Sequence, residues 1–146
     1  MNPERPRVLL VEDDPDDVHF MKRAAAKAGL QWDLETAEDG DAAVERLSSQ
    51  PRPTHVLLDL KLPKRTGLSV LAWIRSESGA PETRVIILTS SNQQPDRDEA
   101  ARLGVDLYLI KPVNFAHLVD HCRVIANKWS IAVAPAPSPR GLPPLQ

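Results

Sequence analysis

Four short apolar runs in this sequence each stop on a polar residue able to do chemistry. Val11 gives way to Glu12 and Asp13, Leu58 to Asp59, Leu88 to Thr89, and Ile110 to Lys111. Five of the six residues Glu12–Asp17 are acidic, and Asp59 adds another carboxylate. Like charges crowded in this way raise one another's pKa or require a counter-charge. Oxygen donors in a small crevice suit Mg²⁺, which keeps several waters and binds carboxylates together with phosphate. Thr89 can donate to a phosphoryl oxygen and Lys111 can neutralise one. Positioning and charge neutralisation are most of what phosphoryl transfer asks of a protein.

For these groups to meet, the runs must be neighbouring strands with their carboxyl ends on one side. Arg7–Val11, His55–Asp59 and Val85–Thr89 are short and continuously apolar, as strands covered on both faces are. Leu107–Ile110 reads as a fifth strand, and Trp32–Ala37 alternates as a more exposed second one. Helical stretches lie between them. Asp14-Pro15 reads as an N-cap followed by proline at the first helical position, and Gly29 ends that helix. Asp41–Leu47 reads as a short helix, a third begins at Leu68, and Pro95–Leu103 is a polar fourth. The last runs from Phe115 to about Ala132, with an apolar stripe at Leu118, Cys122, Ile125 and Trp129. Five βα units without hairpin signals predict an α/β fold, a parallel sheet with helices on both faces. In such sheets ligands bind beyond the carboxyl ends of the strands, where the strand order reverses. With the order 2-1-3-4-5 that point lies between the strands carrying Asp13 and Asp59.

Composition narrows the function further. A chain of 146 residues fits one domain. The single cysteine, Cys122, excludes a disulfide framework and multi-cysteine metal sites. Lys+Arg 18 against Asp+Glu 20 leaves no basic excess to favour nucleic acid. No apolar run approaches a membrane span and no signal peptide opens the chain, so a cytoplasmic protein is expected. Five of the 14 prolines fall in Ala134–Gln146, which reads as an unfolded, partly polyproline tail. The expected organisation is a flexible arm over residues 1–6, one domain over 7–133 and a tail over 134–146.

Glu12-Asp13-Asp14-Pro15, Leu58-Asp59-Leu60 with Pro63 and Gly67, Thr89-Ser90 and Lys111-Pro112 together resemble the receiver domain of bacterial two-component response regulators. The resemblance implies a flavodoxin-like (βα)5 doubly wound sheet and a role for each matching residue. Asp59 corresponds to the aspartate that takes a phosphoryl group from a histidine kinase. Glu12 and Asp13 correspond to the acidic pair that holds Mg²⁺ with Asp59, and the Lys61 main-chain carbonyl to a further ligand. Thr89 corresponds to the switch hydroxyl and Lys111 to the lysine that pairs with the phosphoryl group. Tyr108 corresponds to the aromatic that turns inward as Thr89 moves. That motion carries the signal to the face of the fourth helix, fifth strand and fifth helix. The resemblance also implies a cis Lys111–Pro112 peptide bond. The wording of the acidic run, of Asp59–Pro63 and of the last helix is similar to the stand-alone receivers that partner bacterial phytochromes. That similarity makes a bacteriophytochrome the expected kinase, with a homodimer formed through Trp129, Ile131 and Val133. With only a tail after the receiver, output is expected to pass to a phosphotransfer or target protein.

Other polar residues read more plainly. Asp14, Asp16 and Asp17 suit a cap and an acidic first turn complementing the helix dipole. Lys61, Lys64 and Arg65 suit a solvated loop, although the Lys61 and Ser91 side chains stand two past Asp59 and Thr89, where they can tune phosphoryl lifetime. His19, His55, His117 and His121 share no ligand spacing, and His117 and His121 are expected on the exposed side of the last helix. An aspartyl-phosphate phosphatase is the rival enzyme reading, but Glu12-Asp13-Asp14 lacks its Asp-x-Asp spacing. A receiver fold used only for binding is the other rival. Retention of Asp13, Asp59, Thr89 and Lys111 together argues against it.

Overall fold

The computed structural model describes residues 5–135, so the tail expected over 134–146 lies outside the described residues except for Ala134 and Pro135. Strands β1 (Arg7–Val11), β2 (Asp33–Ala37), β3 (His55–Leu58), β4 (Arg84–Thr89) and β5 (Leu107–Ile110) alternate with helices. These are α1 (Pro15–Ala28), α2 (Gly40–Leu47), α3 (Gly67–Arg75), α4 (Gln94–Arg102) and α5 (Phe115–Trp129). All strand pairs are parallel, in the order β2-β1-β3-β4-β5. The expected α/β sandwich is what forms.

The continuous apolar runs divide by the period of two. Leu10, Leu57, Ile86 and Leu88 face α1 and α5 and pack with Met21, Cys122, Ile125 and Trp129. Leu9, Val11, Val56, Leu58, Val85 and Ile87 face the other way, against Leu47, Val70, Leu71 and Ile74. The central strands β1, β3 and β4 therefore carry apolar residues in succession, because both of their faces are buried.

Local chemistry sets the helix ends. Asp14 accepts the Asp16 N–H at 2.9 Å, Pro15 follows, and Gly29 closes α1 at φ 81°. Helix α5 stops at Trp129, three residues before its expected end, because Ser130 enters the left-handed region at φ 56°. The chain then returns beside α1. Val133 bridges Leu30, and the Ala134 N–H donates to the Gly29 carbonyl at 2.8 Å. That reversal tucks Trp129 and Ile131 into the core, while Val133 stays 51% exposed. Two of the three expected interface residues are thus internal, and Trp129 also donates its indole N–H to Asp106 at 2.8 Å. At the other end, Arg5 bonds to Gln31, the Trp32 carbonyl and Asp33. This part of the expected flexible arm is therefore fastened to the edge of the sheet.

Candidate functional site

The ladders run one step past the strands and carry the reactive residues with them. The Glu12 N–H donates to the Ala37 carbonyl at 3.0 Å, Asp59 to Val11 at 3.1 Å, and Lys111 to Thr89 at 2.8 Å. The polar residues that end β1, β3, β4 and β5 thereby stand at one edge of the sheet, where the order reverses around β1.

Asp59 is the centre, only 5% exposed. Its Oδ1 accepts the Thr89 hydroxyl at 2.7 Å and the Lys61 N–H at 3.1 Å. Its Oδ2 accepts Lys111 Nζ at 2.8 Å. Thr89 is fully buried, and its oxygen also accepts the Ser91 N–H at 3.3 Å. Lys111 reaches two further carboxylates, Glu12 at 2.6 Å and Asp17 at 2.8 Å. One ammonium has three N–H donors, and all three are engaged.

The electrostatics follow from this packing. Burial raises the pKa of Glu12 to about 7, an effect only partly offset by Lys111 and by the Asp14 N–H on its Oε2. Burial opposes the charge on Lys111, but its bonds to Asp17, Asp59 and Glu12 outweigh that and raise its pKa. The site is short of positive charge. Glu12, Asp13 and Asp59 offer ligand oxygens within 4.8 Å of one another, and Asp13 is exposed while the other two are buried. A hard divalent cation that binds few carboxylates and retains waters fits this donor set. Among the described residues no other cluster of histidine, cysteine or acidic side chains could hold a metal.

The loops around Asp59 are held closely. A Cβ on Gly67 would lie 2.3 Å from the Asp59 carbonyl and 2.5 Å from the Leu60 Cα, so only glycine lets α3 start there. The Thr66 hydroxyl caps α3 by accepting the Ser69 N–H. Lys64 and Arg65 pair with Asp39 and Asp41, which fastens the loop after Asp59 to the start of α2. Beside the acidic cluster lies a cavity of about 310 Å³ between α1 and the start of α5, with Phe20, Val113, Phe115 and Leu118 along its wall.

Tyr108 is half-buried, and its hydroxyl donates to the Ser91 carbonyl at 2.8 Å. The Arg97 guanidinium stands 4.8 Å over its ring. Ser91, itself buried, donates its hydroxyl to Asp96. The segment after Thr89 is thus tied to both α4 and β5.

The structure brings Glu12, Asp13, Asp59, Thr89 and Lys111 together as expected. Three readings change. Asp17 does not merely complement the helix dipole, since it binds Lys111. The signal for it was available: helical Cβ atoms tilt toward the N-terminus, so a first-turn acid points back toward the strand ends. His121 is half-buried, with Nε2 3.0 Å from the Ile110 carbonyl, rather than on the open side of α5. Finally, the Lys111–Pro112 bond is trans, the ordinary preference of such bonds, and the cis bond among the described residues is Gln50–Pro51.

Comparison with known proteins agrees with this fold. The family described as the response regulator receiver domain matches residues 8–123. Response regulator Rcp1 from Synechocystis is 33% identical over 128 residues, spanning 84% of this chain and 87% of that protein. Among solved structures, the phosphorylated cyanobacterial phytochrome response regulator RcpA superposes with a TM-score of 0.78 at 30% identity. It covers 86% of this chain and 94% of its own. The Mn²⁺-bound form of Rcp1 gives a TM-score of 0.76 at 29% identity, covering 89% and 99%.

Proposed function

The chain belongs to the response regulator receiver domain family, and from that premise we propose that Asp59 accepts a phosphoryl group from a histidine kinase with Mg²⁺ bound alongside. The observation that carries this reading is the convergence of Lys111 Nζ and the Thr89 hydroxyl on the two oxygens of one buried carboxylate. An Asp59 oxygen forms the new bond to phosphorus as the donor's P–N bond breaks, and the electron pair leaves with the imidazole nitrogen. Lys111 contributes charge without exchanging a proton, and Thr89 contributes a hydrogen bond. Glu12, Asp13, Asp59 and the Lys61 main-chain carbonyl would hold the Mg²⁺, whose charge offsets that of the phosphoryl oxygens.

The partner's phosphohistidine must approach from the open side of the site. There the apolar rim of Phe20, 45% exposed, and Val113, fully exposed, adjoins the acidic cluster. The likeness to phytochrome response regulators supports a bacteriophytochrome kinase as the donor. Output goes through the α4-β5-α5 face, where Tyr108 is linked to Thr89 through Ser91. A phosphotransfer or target protein would read that face. A homodimer at the end of α5 would use the exposed Val133 rather than the buried Trp129 and Ile131.

Incubation with Mg²⁺ and acetyl phosphate, followed by intact mass measurement, tests the reading. A labile phosphoryl adduct is expected on wild type and not on Asp59→Asn. Absence of an adduct with small donors and with kinases alike would overturn it. Light scattering of wild type and Val133→Asp tests association, and a wild-type monomer at high concentration would end the dimer.

A further inference from the structure

Lys111 divides its three donors among Glu12, Asp17 and Asp59, and these partners are not equivalent. Glu12 and Asp59 also belong, with Asp13, to the cluster that can take up a divalent cation, and Asp17 does not. A cation drawn to that cluster competes with the ammonium for two of its three partners. The Asp17 carboxylate is the one left wholly to the lysine. Asp17 is also the one partner carried on a helix. It is the third residue of α1, behind Pro15 and the Asp14 cap, so its backbone is set by the helix rather than by a loop.

We propose that Asp17 is a positioning residue for phosphoryl transfer: it anchors the Lys111 ammonium beside Asp59 while the cation engages Glu12, Asp13 and Asp59. The inference rests on the receiver reading of the site. A lysine stem is flexible and its head is a compact, strongly hydrated charge. Without a fixed partner it gains freedom when Glu12 and Asp59 turn to the cation. With Asp17 in place the ammonium stays within reach of the Asp59 oxygen that forms the bond to phosphorus. The lysine keeps its proton throughout, so the contribution is one of position and field.

The same contact affects the cation. If Asp17 is neutralised, Lys111 rests on Glu12 and Asp59 alone and competes harder for their oxygens. Loss of a nearby negative charge weakens cation binding as well. Both effects have the same sign.

Asp17→Asn, Asp17→Glu and Asp16→Asn in the full chain test the proposal. Asp16 lies in the same turn and carries the same charge, but it is exposed and forms no bond to Lys111. Mg²⁺ affinity is read by calorimetry, and labelling by acetyl phosphate at saturating Mg²⁺ by intact mass. Asp17→Asn is expected to label roughly tenfold more slowly and to bind Mg²⁺ roughly tenfold more weakly, the low end of what loss of an outer partner does at metal sites. Asp17→Glu should recover most of both, and Asp16→Asn should match wild type. Wild-type behaviour of Asp17→Asn, or an equal loss in Asp16→Asn, would overturn the proposal. If wild type takes no phosphoryl group from any donor, the receiver reading fails, and the Mg²⁺ affinities still decide the role of Asp17.

Discussion

Replacing Glu12 by glutamine separates what this carboxylate costs the fold from what it does for the site. Glu12 is 5% exposed, and burial raises its pKa from the ordinary 4.5 to about 7 despite the bonds from Lys111 and Asp14. A carboxyl whose folded pKa lies above its unfolded one binds more protons folded than unfolded across that interval. Its contribution to stability is therefore complete below about pH 4.5 and lost as pH rises through 7. Near pH 8 the whole difference counts against the folded state, about 3 kcal/mol. Glutamine has nearly the same shape, still accepts the Asp14 N–H and never ionises, and Lys111 keeps Asp17 and Asp59. Glu12 uses one oxygen for the Asp14 N–H and the other for Lys111, so the amide that keeps the first turns its NH₂ toward the ammonium, and the lost Lys111 bond returns part of the gain. Glu12→Gln should therefore be more stable than wild type by about 1–2 kcal/mol near pH 8 in a chelator, with no gain near pH 4.5. In a chain of this size that is about 2–8 °C in Tm. Urea titrations across this pH range, repeated with Mg²⁺, measure it. Ligand binding to the folded state stabilises it in proportion to affinity, so added Mg²⁺ should shrink or reverse the advantage of the variant. A Glu12→Gln protein no more stable than wild type near pH 8, or a gain independent of pH, would refute the dominance of burial at Glu12.

The other predictions concern the scaffold. Gly67→Ala should cost about 1–3 kcal/mol and slow labelling of Asp59, since its Cβ meets the backbone of Asp59 and Leu60; denaturant unfolding and the acetyl phosphate assay read the two effects. The Cys122 thiol is fully buried and its pKa is pushed up to about 12, so a thiol reagent should modify it no faster than the protein opens. Burial, with Arg84 nearby, lowers the pKa of His55 below 6.5. Its neutral form suits the fold, so it contributes stability that is lost as pH falls below 6.5. His55→Gln should flatten that limb of the pH–stability curve, in the opposite sense to Glu12.

Much of this molecule is legible without coordinates. Apolar runs too continuous for a half-exposed strand, separated by capped amphipathic stretches, imply a parallel sheet covered on both faces. Each run ending on a polar residue implies that those residues share its carboxyl edge. Glu12, Asp13, Asp59, Thr89 and Lys111 could be named for this reason, because strand ends are local features. Other features depend on where the chain goes after an element ends. Ser130 reverses the chain, so Trp129 and Ile131 are internal and Val133 is not. His121 finds the Ile110 carbonyl across a loop that periodicity does not place. Asp17 reads as one acid among several until the fold sets Lys111, 94 residues later, against it. Residue types and spacing determined which groups could do chemistry. Tertiary packing decided how one ammonium is shared among three carboxylates, because that sharing depends on distances of a few ångströms between elements remote in the chain.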